Sequence, residues 1–542
     1  MIKRIFYQIV VYLNLFLFNI KFNSFFKKRN FKVKKYNTAK EKKINIAYEF
    51  PIFFLEHIYF FFLCIFPLRD KVNMTLYYYQ KKKNLFIQIL KYLFLFNIIK
   101  YINKDETKNS EFLNYNFSNV TNSKKITEKI FKNLKNKKDV FNIKYKNFKI
   151  GKYIYQSYCR EEYEPVLDYK DHKLKKYILE AIEYTHNSII FLSRKKYSHM
   201  FVTHAGYLKY SCLNLVAKHF GCKISMYSKF NFYKIIRFVD ITKKLTQDEY
   251  YEDFKKDFNR LKNKKEKINI SKKELTSRNL KFSQNERVHK LFINSKLLDL
   301  NSSDKNPNKI LILPPCMFDT LFHFNNNLFD EPYEWLIFIL KRAEKTNFSW
   351  YVKPHPDQHS ENQKIYDLIR KRFKKIKFLD PQISAQTFKK ANFKSMFTYQ
   401  TTGVHEYIHM GIPSVISGDN IQSAFNFGKP VKTKKHLEKA IQKANKIKLI
   451  KNDDIYKFNY MMTYLKASNF KVFNFIKVKK SFIEEYSKLM KKFGKEYSST
   501  SIGIKNIFFN FNKINLLDKH ITLKDEQNMI NVFKKYLFND RS

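Results

Sequence analysis

One stretch of sequence decides the fold of this chain: Lys394-Ser-Met-Phe-Thr-Tyr-Gln-Thr-Thr-Gly403-Val-His-Glu-Tyr-Ile-His-Met-Gly411-Ile-Pro-Ser-Val-Ile416. It predicts a strand over residues 394–399, a helix that begins at Thr402 or Gly403, and another strand over residues 414–416. Gly411 is placed to end the helix before the next strand. A strand, a helix and a strand in this order are typical of a parallel sheet that helices cover.

Glycine is scarce in this sequence, with nine in 542 residues, yet four of the nine lie between positions 403 and 428. Such a chain should keep glycine where the backbone needs a positive φ or approaches another group closely. We therefore expect chemistry within residues 350–430. Gly403 is predicted to face a phosphate and Gly411 to end the helix, whereas Gly418 and Gly428 are predicted to shape loops at a cleft.

The same alternation continues on both sides of the quoted stretch. In the C-terminal half, strands are predicted over residues 309–313, 348–353 and 377–379, and helices over 331–345, 362–373 and 384–391. In the N-terminal half, strands are predicted over residues 44–48, 148–155, 199–204 and 222–227, and helices over 173–192 and 207–220. Repeated β–α units of this kind predict an α/β fold with two doubly wound sheets.

A change of composition separates the two halves, because Lys, Glu, Asp, Asn and Ser dominate residues 240–305. The predicted order is an N-terminal extension (1–43), a Rossmann-like acceptor domain (44–240), a charged connection (241–305), a Rossmann-like nucleotide-sugar domain (306–430) and a helical C-terminal region (431–542). The two Rossmann-like domains are expected to face a cleft, since ligands of such sheets bind beyond the carboxyl ends of the strands.

The charge is strongly positive, with 104 Lys and Arg against 48 Asp and Glu, or +56 in total. Such a charge can indicate nucleic-acid binding. The lysines are spread along the whole chain, as in proteins of AT-rich genomes, and the sequence has no zinc-finger or RNP-type motif. Specific nucleic-acid binding is therefore disfavoured. An anionic membrane surface or a phosphorylated substrate explains the sign equally well.

The five cysteines are scattered and never form a C-x-x-C pair, which fits a reducing cytoplasm and supports neither a disulfide framework nor a zinc site. An apolar run over residues 5–20 lies between basic flanks, but Gln8, Asn14 and Asn19 interrupt it. It lacks the features of a cleaved signal peptide and is marginal as a spanning helix. Two alternatives stay open: an interfacial helix on the inner leaflet, or a helix packed on the protein itself.

The turn Gln400-Thr-Thr-Gly403 has the residues to bind a phosphate. It leaves the carboxyl end of a predicted parallel strand and opens a helix, where backbone N–H groups and two threonine hydroxyls are available. Glu406, about one turn into the helix, can accept hydrogen bonds from a sugar. The alternative is structural, with Thr402 as N-cap and Gly403 allowing close packing of helix and strand.

A second loop, Lys353-Pro-His-Pro356, follows the predicted strand over 348–353 and lies at the same edge of the sheet. Its two prolines restrict the loop and fix the direction of His355. Lys353 and His355 can together neutralise phosphate oxygens. A lone histidine is more often a structural residue, but two such loops on one edge favour a binding site.

These motifs resemble those of bacterial capsule and surface-polysaccharide biosynthesis proteins, which are glycosyltransferases of the GT-B type with two Rossmann domains. The resemblance covers roughly residues 150–460. It rests on Asp319, Leu328-Phe-x-x-x-x-Glu-Trp335, Trp350-Tyr-Val-Lys-Pro-His-Pro-Asp357, Thr398-Tyr-Gln-Thr-Thr-Gly-Val-His-Glu406, Gly411-Ile-Pro413, Ala424-Phe-Asn-Phe427 and Asp454-Ile-Tyr-Lys-Phe-Asn-Tyr460. In the N-terminal half it rests on Gly151-x-x-Ile-Tyr-x-x-Tyr-x-Arg160, Val202-Thr-His-x-x-Tyr207 and Ala217-x-x-x-Gly221.

The resemblance implies a set of donor-binding residues. The residues for the phosphates are Lys353, His355, Thr401, Thr402 and Gly403, and Glu406 is implied for a sugar hydroxyl. Relatives vary among Ser, Gly and Thr where this chain has Gln400-Thr401-Thr402, so the donor nucleotide is left open. Such enzymes usually need no bound metal, and this chain shows no cluster of metal ligands in its sequence. No cofactor is expected besides the nucleotide sugar.

The catalytic base should come from the N-terminal domain. His204, at the end of a predicted strand, is the candidate, because a base needs a pKa near neutral and hydrogen-bond reach to the acceptor. A capping or core role for His204 is the alternative. Tyr158, Arg160 and Asp319 are further candidates to line the cleft.

The predicted function is sugar transfer from a nucleotide-activated donor to a growing or lipid-linked surface polysaccharide. We expect a cytoplasmic enzyme bound peripherally at the inner face of the cell membrane. Three alternatives stay open: a glycerol- or ribitol-phosphate transferase, a sugar-nucleotide epimerase on the same fold, or a scaffold without catalysis. The sequence leaves open the sugar, the linkage and stereochemistry, and the oligomeric state.

Overall fold

Two six-stranded sheets organise the chain, one in each half. The computed structural model describes residues 43–49, 68, 71–80, 110–116, 120–228, 237–242, 254–277, 296–318, 328–356, 360–399, 403–417, 425–450, 453–462, 485, 488 and 523–538. The apolar run over residues 5–20 lies outside these ranges. Within them, every helix is too short or too polar to cross a membrane.

The first sheet is built around β1, which has the sequence Ile-Asn-Ile-Ala-Tyr-Glu. All of its residues except Asn45 are buried. The strands of this half are β1 (Ile44–Glu49), β2 (Val72–Gln80), β3 (Ser110–Asn116), the hairpin β4 (Lys144–Tyr145) and β5 (Phe148–Lys149), β6 (His199–Val202), β7 (Lys223–Ser228) and β8 (Arg237–Asp240). The order in the sheet is β3-β2-β1-β6-β7-β8, with β8 antiparallel to β7 and the other pairs parallel. This is the Rossmann order 3-2-1-4-5-6.

The helices of the first half cover that sheet. They are α1 (Ser123–Lys132), α2 (Lys137–Phe141), α3 (Gly151–Glu162), α4 (Leu174–Ser193) and α5 (Tyr207–His219). The prediction of a strand over residues 148–155 is wrong, because only Phe148 and Lys149 pair and α3 begins at Gly151. Ile154, Tyr155, Tyr158 and Cys159 recur at helical spacing and are buried, so packing overrides the β-preference of these residue types.

The second sheet repeats the Rossmann order around β9, in which all five residues are buried. Its strands are β9 (Lys309–Leu313), β10 (Ser349–Val352), β11 (Lys377–Phe378), β12 (Ser395–Thr398), β13 (Ser414–Ser417) and β14 (Lys429–Val431). The order is β11-β10-β9-β12-β13-β14 and every pair is parallel. A run of apolar residues such as Ile310–Leu313 is typical of a parallel strand that is buried on both faces.

The remaining helices connect the two sheets or cover the second one, except the last, whose Phe533 ring packs against Phe201 of β6 in the first sheet at 5.3 Å. They are α6 (Phe254–Asn259), α7 (Lys264–Ser277), α8 (Leu300–Ser303), α9 (Pro332–Ala343), α10 (Ser360–Arg372), α11 (Ala385–Lys390), α12 (Val404–His409), α13 (Lys434–Gln442), α14 (Asp454–Tyr460) and α15 (Leu523–Phe538). Pro332 occupies the first turn of α9, and Ser384 caps α11 through a hydrogen bond from the Gln386 amide, as predicted.

The hydrophobic core extends across both halves. Leu311 and Leu313 belong to a cluster that also contains residues of the first sheet, whereas Ile310 and Ile312 face a second cluster under α9 and α10. This alternation places side chains of β9 on both faces of the sheet. The fold is therefore α/β and GT-B-like, with two Rossmann-like domains, as the sequence predicted.

Two of the predictions for glycines in loops and at helix ends can be compared with the structure. Gly411 has a φ of +92°, which suits its predicted role at the end of α12. Gly428 serves packing within the sheet: a Cβ there would lie 2.4 Å from Ile416 Cδ1 and 2.8 Å from Ser414 Oγ of β13. Gly418 lies outside the described residues.

Candidate functional site

The carboxyl ends of the central strands of the second sheet meet at one edge, and the predicted donor residues follow these ends. Val352 of β10 pairs with Ile312 of β9, and Thr398 of β12 pairs with Leu313. Lys353 comes directly after β10, and Gly403 follows β12 by five residues. The strand order reverses between β9 and β12, which is where Rossmann-like sheets bind ligands.

Lys353 is the most unusual residue of this edge. It is only 7% exposed, and none of the described residues accepts a hydrogen bond from its ammonium or forms an ion pair with it. Burial lowers the pKa of Lys353 from 10.5 to about 8, although the negative charges of Glu406 and Asp380 oppose this. Burial disfavours the charged form of the ammonium, and the two nearby carboxylates offset only part of this cost. Such an ammonium is suited to bind a further anion.

The loop that follows Lys353 is held by a hydrogen bond from the segment after the neighbouring strand β11. The Gln382 side chain donates a hydrogen bond of 3.3 Å to the carbonyl of Pro356. Gln382 in turn lies in the segment after β11, where its amide donates to Asp380. His355 is half-buried between the two prolines. Its predicted phosphate contact stays a prediction.

The turn after β12 is described from Gly403 onward. Gly403 has a φ of −83°, and an added Cβ would meet no heavy atom of the described chain within 4 Å. Its backbone therefore does not require glycine, but a side chain there would point into open space beside the turn. Glu406 lies in the first turn of α12, and its charge reaches Lys353. Thr401, Thr402 and Asp319 lie outside the described residues, so their predicted roles stay predictions.

The short helix α12 is held in place by α14. The His405 ring packs edge-on against Phe458 at 5.2 Å, and His409 Nδ1 lies 3.3 Å from the Tyr456 hydroxyl. Asn459 of α14 donates 2.9 Å hydrogen bonds to Ser271 and Glu274 of α7. The position of Glu406 thus depends on the helices that connect the two domains.

His204, the predicted base, follows β6 at the carboxyl edge of the first sheet. Its Nδ1 accepts a 2.8 Å hydrogen bond from the Gly206 amide. The neutral ring therefore carries its hydrogen on Nε2. Tyr207, against which the His204 ring packs at 5.5 Å, has a φ of +67°, which is rare for an aromatic residue. Such backbone strain is often found at functional sites.

Glu49 is a residue of this region that sequence reasoning missed. It ends β1, is 4% exposed, and accepts hydrogen bonds from the Thr203 amide at 2.7 Å and the Thr203 hydroxyl at 2.8 Å. Burial raises its pKa, while the charge of Lys209 and the bonds from Thr203 oppose this. Glu49 therefore fixes the residue before His204. Its one sequence signal is an acidic residue at the end of an apolar strand.

The candidates on α3 have different surroundings. Tyr158 does not line a cleft, because it is 1% exposed and its hydroxyl donates a 2.7 Å hydrogen bond to Asp171. Burial raises the pKa of Tyr158 above the ordinary value of tyrosine. Tyr158 is thus a core residue of the first domain. Arg160 is half-buried in the last turn of α3, and its predicted role stays a prediction.

Comparison with known proteins gives distant likenesses. No protein-family model matches the chain, and no curated protein matches it. KpsC of Thermosulfurimonas dismutans, a β-Kdo 2,4 transferase, is similar over 49% of this chain and 79% of its own, with 12% identity and a TM-score of 0.32.

Two further solved structures extend over more of the chain. The UDP-GlcNAc 2-epimerase of Methanocaldococcus jannaschii, bound to UDP-GlcNAc and UDP, is similar over 68% of this chain and 94% of its own, with 14% identity and a TM-score of 0.27. UGT89C1 of Arabidopsis thaliana with UDP is similar over 88% and 99%, with 10% identity and a TM-score of 0.20. At these values the function has to be inferred from the residues of the site.

Proposed function

We propose that this chain is a GT-B glycosyltransferase that moves a sugar from a nucleotide-activated donor to a growing or lipid-linked surface polysaccharide. The observation that carries the proposal is the buried side chain of Lys353 at the carboxyl edge of the second sheet, whose ammonium has no ion pair with the described residues. Burying a cation without an ion pair costs several kcal/mol. A protein keeps such a group where a ligand completes its interactions, and a phosphate group would do so here.

The predicted donor residues suit the two ends of a nucleotide sugar. His355 on the same loop and the turn with Thr401, Thr402 and Gly403 would hold the phosphate oxygens, and Glu406 would accept a hydrogen bond from a sugar hydroxyl. As the glycosidic bond of the donor breaks, negative charge develops on the leaving phosphate. Cations and backbone N–H groups stabilise that charge, so this proposal requires neither a metal nor another cofactor.

His204 is proposed as the base that takes the proton of the acceptor hydroxyl. The Gly206 amide occupies Nδ1, so Nε2 carries the hydrogen of the neutral ring. Proton uptake at Nε2 therefore requires the other tautomer, and the hydrogen bond to Gly206 has to break when the acceptor binds. We propose that the enzyme acts in the cytoplasm at the anionic inner face of the membrane, where its positive charge favours binding.

The first experiment measures nucleotide binding by calorimetry with UDP, GDP, CDP and CMP. We expect one of them to bind, and His355→Ala and Glu406→Ala to weaken binding of its sugar conjugate by about tenfold, as for the loss of one polar contact. Lys309→Gln is the matched control, since Lys309 is 5% exposed but begins β9 at the opposite edge of the sheet. Unchanged binding in both site variants would show that the catalytic proposal is wrong.

Product analysis separates the rival activities. A transferase releases the nucleotide and lengthens the acceptor glycan, whereas an epimerase returns an isomeric sugar nucleotide or a free sugar without an acceptor. A glycerol- or ribitol-phosphate transferase uses CDP-linked alditols instead of sugars. A scaffold would bind glycan without turnover of any donor.

A further inference from the structure

Glu331 is a buried carboxylate that joins the two domains. It precedes α9 of the second domain and is 0% exposed. The Tyr155 hydroxyl of α3 donates a short hydrogen bond to Oε1, and the Lys137 ammonium of α2 lies 2.9 Å from the same oxygen. Both donors belong to the first domain, 176 and 194 residues away in sequence. A single carboxylate thus receives its hydrogen bonds from the opposite half of the protein.

This contact is linked to Tyr399, the residue that follows β12. The Tyr399 hydroxyl donates a hydrogen bond to the carbonyl of Phe329, two residues before Glu331. The Tyr399 ring also packs against Trp335 of α9 at 5.6 Å. Tyr399 is followed directly by residues 400–403. Tyr399 therefore joins the segment that carries Glu331 to the end of β12.

The same helix α3 also supports the loop of His204. Ser157 Oγ accepts a 2.9 Å hydrogen bond from the Leu208 amide, at the start of α5. Directly after the helix, the Tyr163 ring packs edge-on against Phe318 of the second domain at 5.7 Å. The helix α3 and the residue that caps it thus contact the candidate acceptor loop within their own domain and the segment after β9 in the other domain.

The Glu331 contact is costly unless the domains stay together. Burial raises the pKa of Glu331, while the hydrogen bonds from Tyr155 and Lys137 and the charge of Lys137 oppose this. Its second oxygen, Oε2, is buried and has no hydrogen-bond partner among the described residues. A carboxylate with one satisfied oxygen depends strongly on the bonds it has. If the Tyr155 hydroxyl is removed, the Glu331 carboxylate gains more from contact with water. Separation of the two domains, which would expose it to water, then becomes more favourable.

We propose that Glu331 is a positioning residue that couples contact between the two domains, through Tyr155, to the donor turn, through Phe329 and Tyr399. The proposal rests on the proposed function for its statement that the turn binds the donor. Donor binding and domain contact would then favour each other, because each stabilises the same arrangement of residues 329–335.

The test uses Tyr155→Phe and Glu331→Gln, alone and combined, in the full chain. Each should weaken binding of the best nucleotide of the UDP, GDP, CDP and CMP panel by about tenfold, the usual effect of losing one charge-assisted hydrogen bond. The double variant should lose less than the sum of the two single losses, because both changes weaken the interactions of the same carboxylate. The control is Glu334→Gln: Glu334 lies 3.1 Å from the same Lys137 but is 41% exposed, so we expect less than about a twofold change.

X-ray scattering of the nucleotide-free protein is the second readout, because weaker nucleotide binding alone could reflect lost stability. Tyr155→Phe should increase the radius of gyration, whereas Glu334→Gln should leave it unchanged, with circular dichroism confirming that both are folded. If the wild-type protein binds no nucleotide, the proposed function fails and scattering alone decides the domain contact. If it binds and Tyr155→Phe changes neither affinity nor radius, the coupling is refuted while the proposed function stands.

Discussion

Replacement of Lys353 by methionine should stabilise the protein and weaken donor binding at the same time. Methionine is about as long as lysine without its charge, so it removes the cost of burying the ammonium and keeps most of the packing. Such an exchange of stability against function is expected for a charged group that is kept for its ligand. A lysine kept for the fold alone would give the opposite result, a loss of stability.

The size of the effect follows from the pKa of Lys353. Its fall from 10.5 to about 8 means that the folded protein disfavours the charged form. This difference corresponds to about 3 kcal/mol at pH 7, where the group is protonated in both states, and about 2 kcal/mol at pH 9. The cost is complete below the folded pKa and disappears as the pH rises from about 8 towards 10.5, the value of the unfolded chain. Lys353→Met should therefore be more stabilising at pH 7 than at pH 9.

Urea denaturation at pH 7 and pH 9 measures this difference directly, because subtracting the wild-type value at each pH removes the effect of all other groups. Lys309→Met is the control: the Lys309 ammonium donates a 3.1 Å hydrogen bond to Asn301. Its replacement should leave stability unchanged or lower it. Nucleotide binding by the two variants is compared at pH 7, where we expect a loss of at least about tenfold for Lys353→Met alone.

Three results would refute this reasoning. If Lys353→Met is less stable than the wild type at pH 7, the ammonium is a structural group with compensating partners. If it is more stable and binds nucleotides as before, the buried charge is real but does not serve the donor. A stability gain that is equal at pH 7 and pH 9 would show that the pKa of Lys353 in the folded protein does not lie near 8.

Three further predictions follow from the same site. Glu406→Gln removes a charge that raises the pKa of Lys353, so the pH at which nucleotide affinity falls by half should move to a lower value. Calorimetry from pH 6 to 9 measures this midpoint, and an unchanged midpoint would show that the two charges do not interact. Gly428→Ala should destabilise the protein by about 1–3 kcal/mol because its Cβ meets Ile416, whereas Gly403→Ala should change stability by less than about 1 kcal/mol; equal losses in urea denaturation would contradict the geometry of the two glycines. Asp454→Asn should cost about 1–3 kcal/mol at pH 7. Two lysines and one amide lower the pKa of this carboxyl against the effect of burial, so the cost should begin to shrink as the pH falls below 3.8, and a cost as large at pH 3 as at pH 7 in urea denaturation would exclude this cause.

Most of the fold could be predicted from local patterns. The apolar run of β9, Pro332 at the start of α9, the Ser384 cap and the glycine at the end of α12 each depend on neighbours within a few residues. The strand predicted over 148–155 shows where this fails. Isoleucine and tyrosine favour strands, but the contacts that bury this segment come from distant helices, and those contacts decide for α3.

The candidate site divides in the same way. The sequence by itself determined that Lys353, His355, Gly403 and Glu406 follow predicted strands of a β–α pattern, because the strand pattern along the chain and the turn residues are local properties. Only the tertiary structure decided that Lys353 is buried, that Tyr158 belongs to the core, and that Glu331 meets Tyr155 across 176 residues. The desolvation of a charge and the pairing of distant side chains depend on which surfaces pack together, and a local pattern of residues carries no record of that.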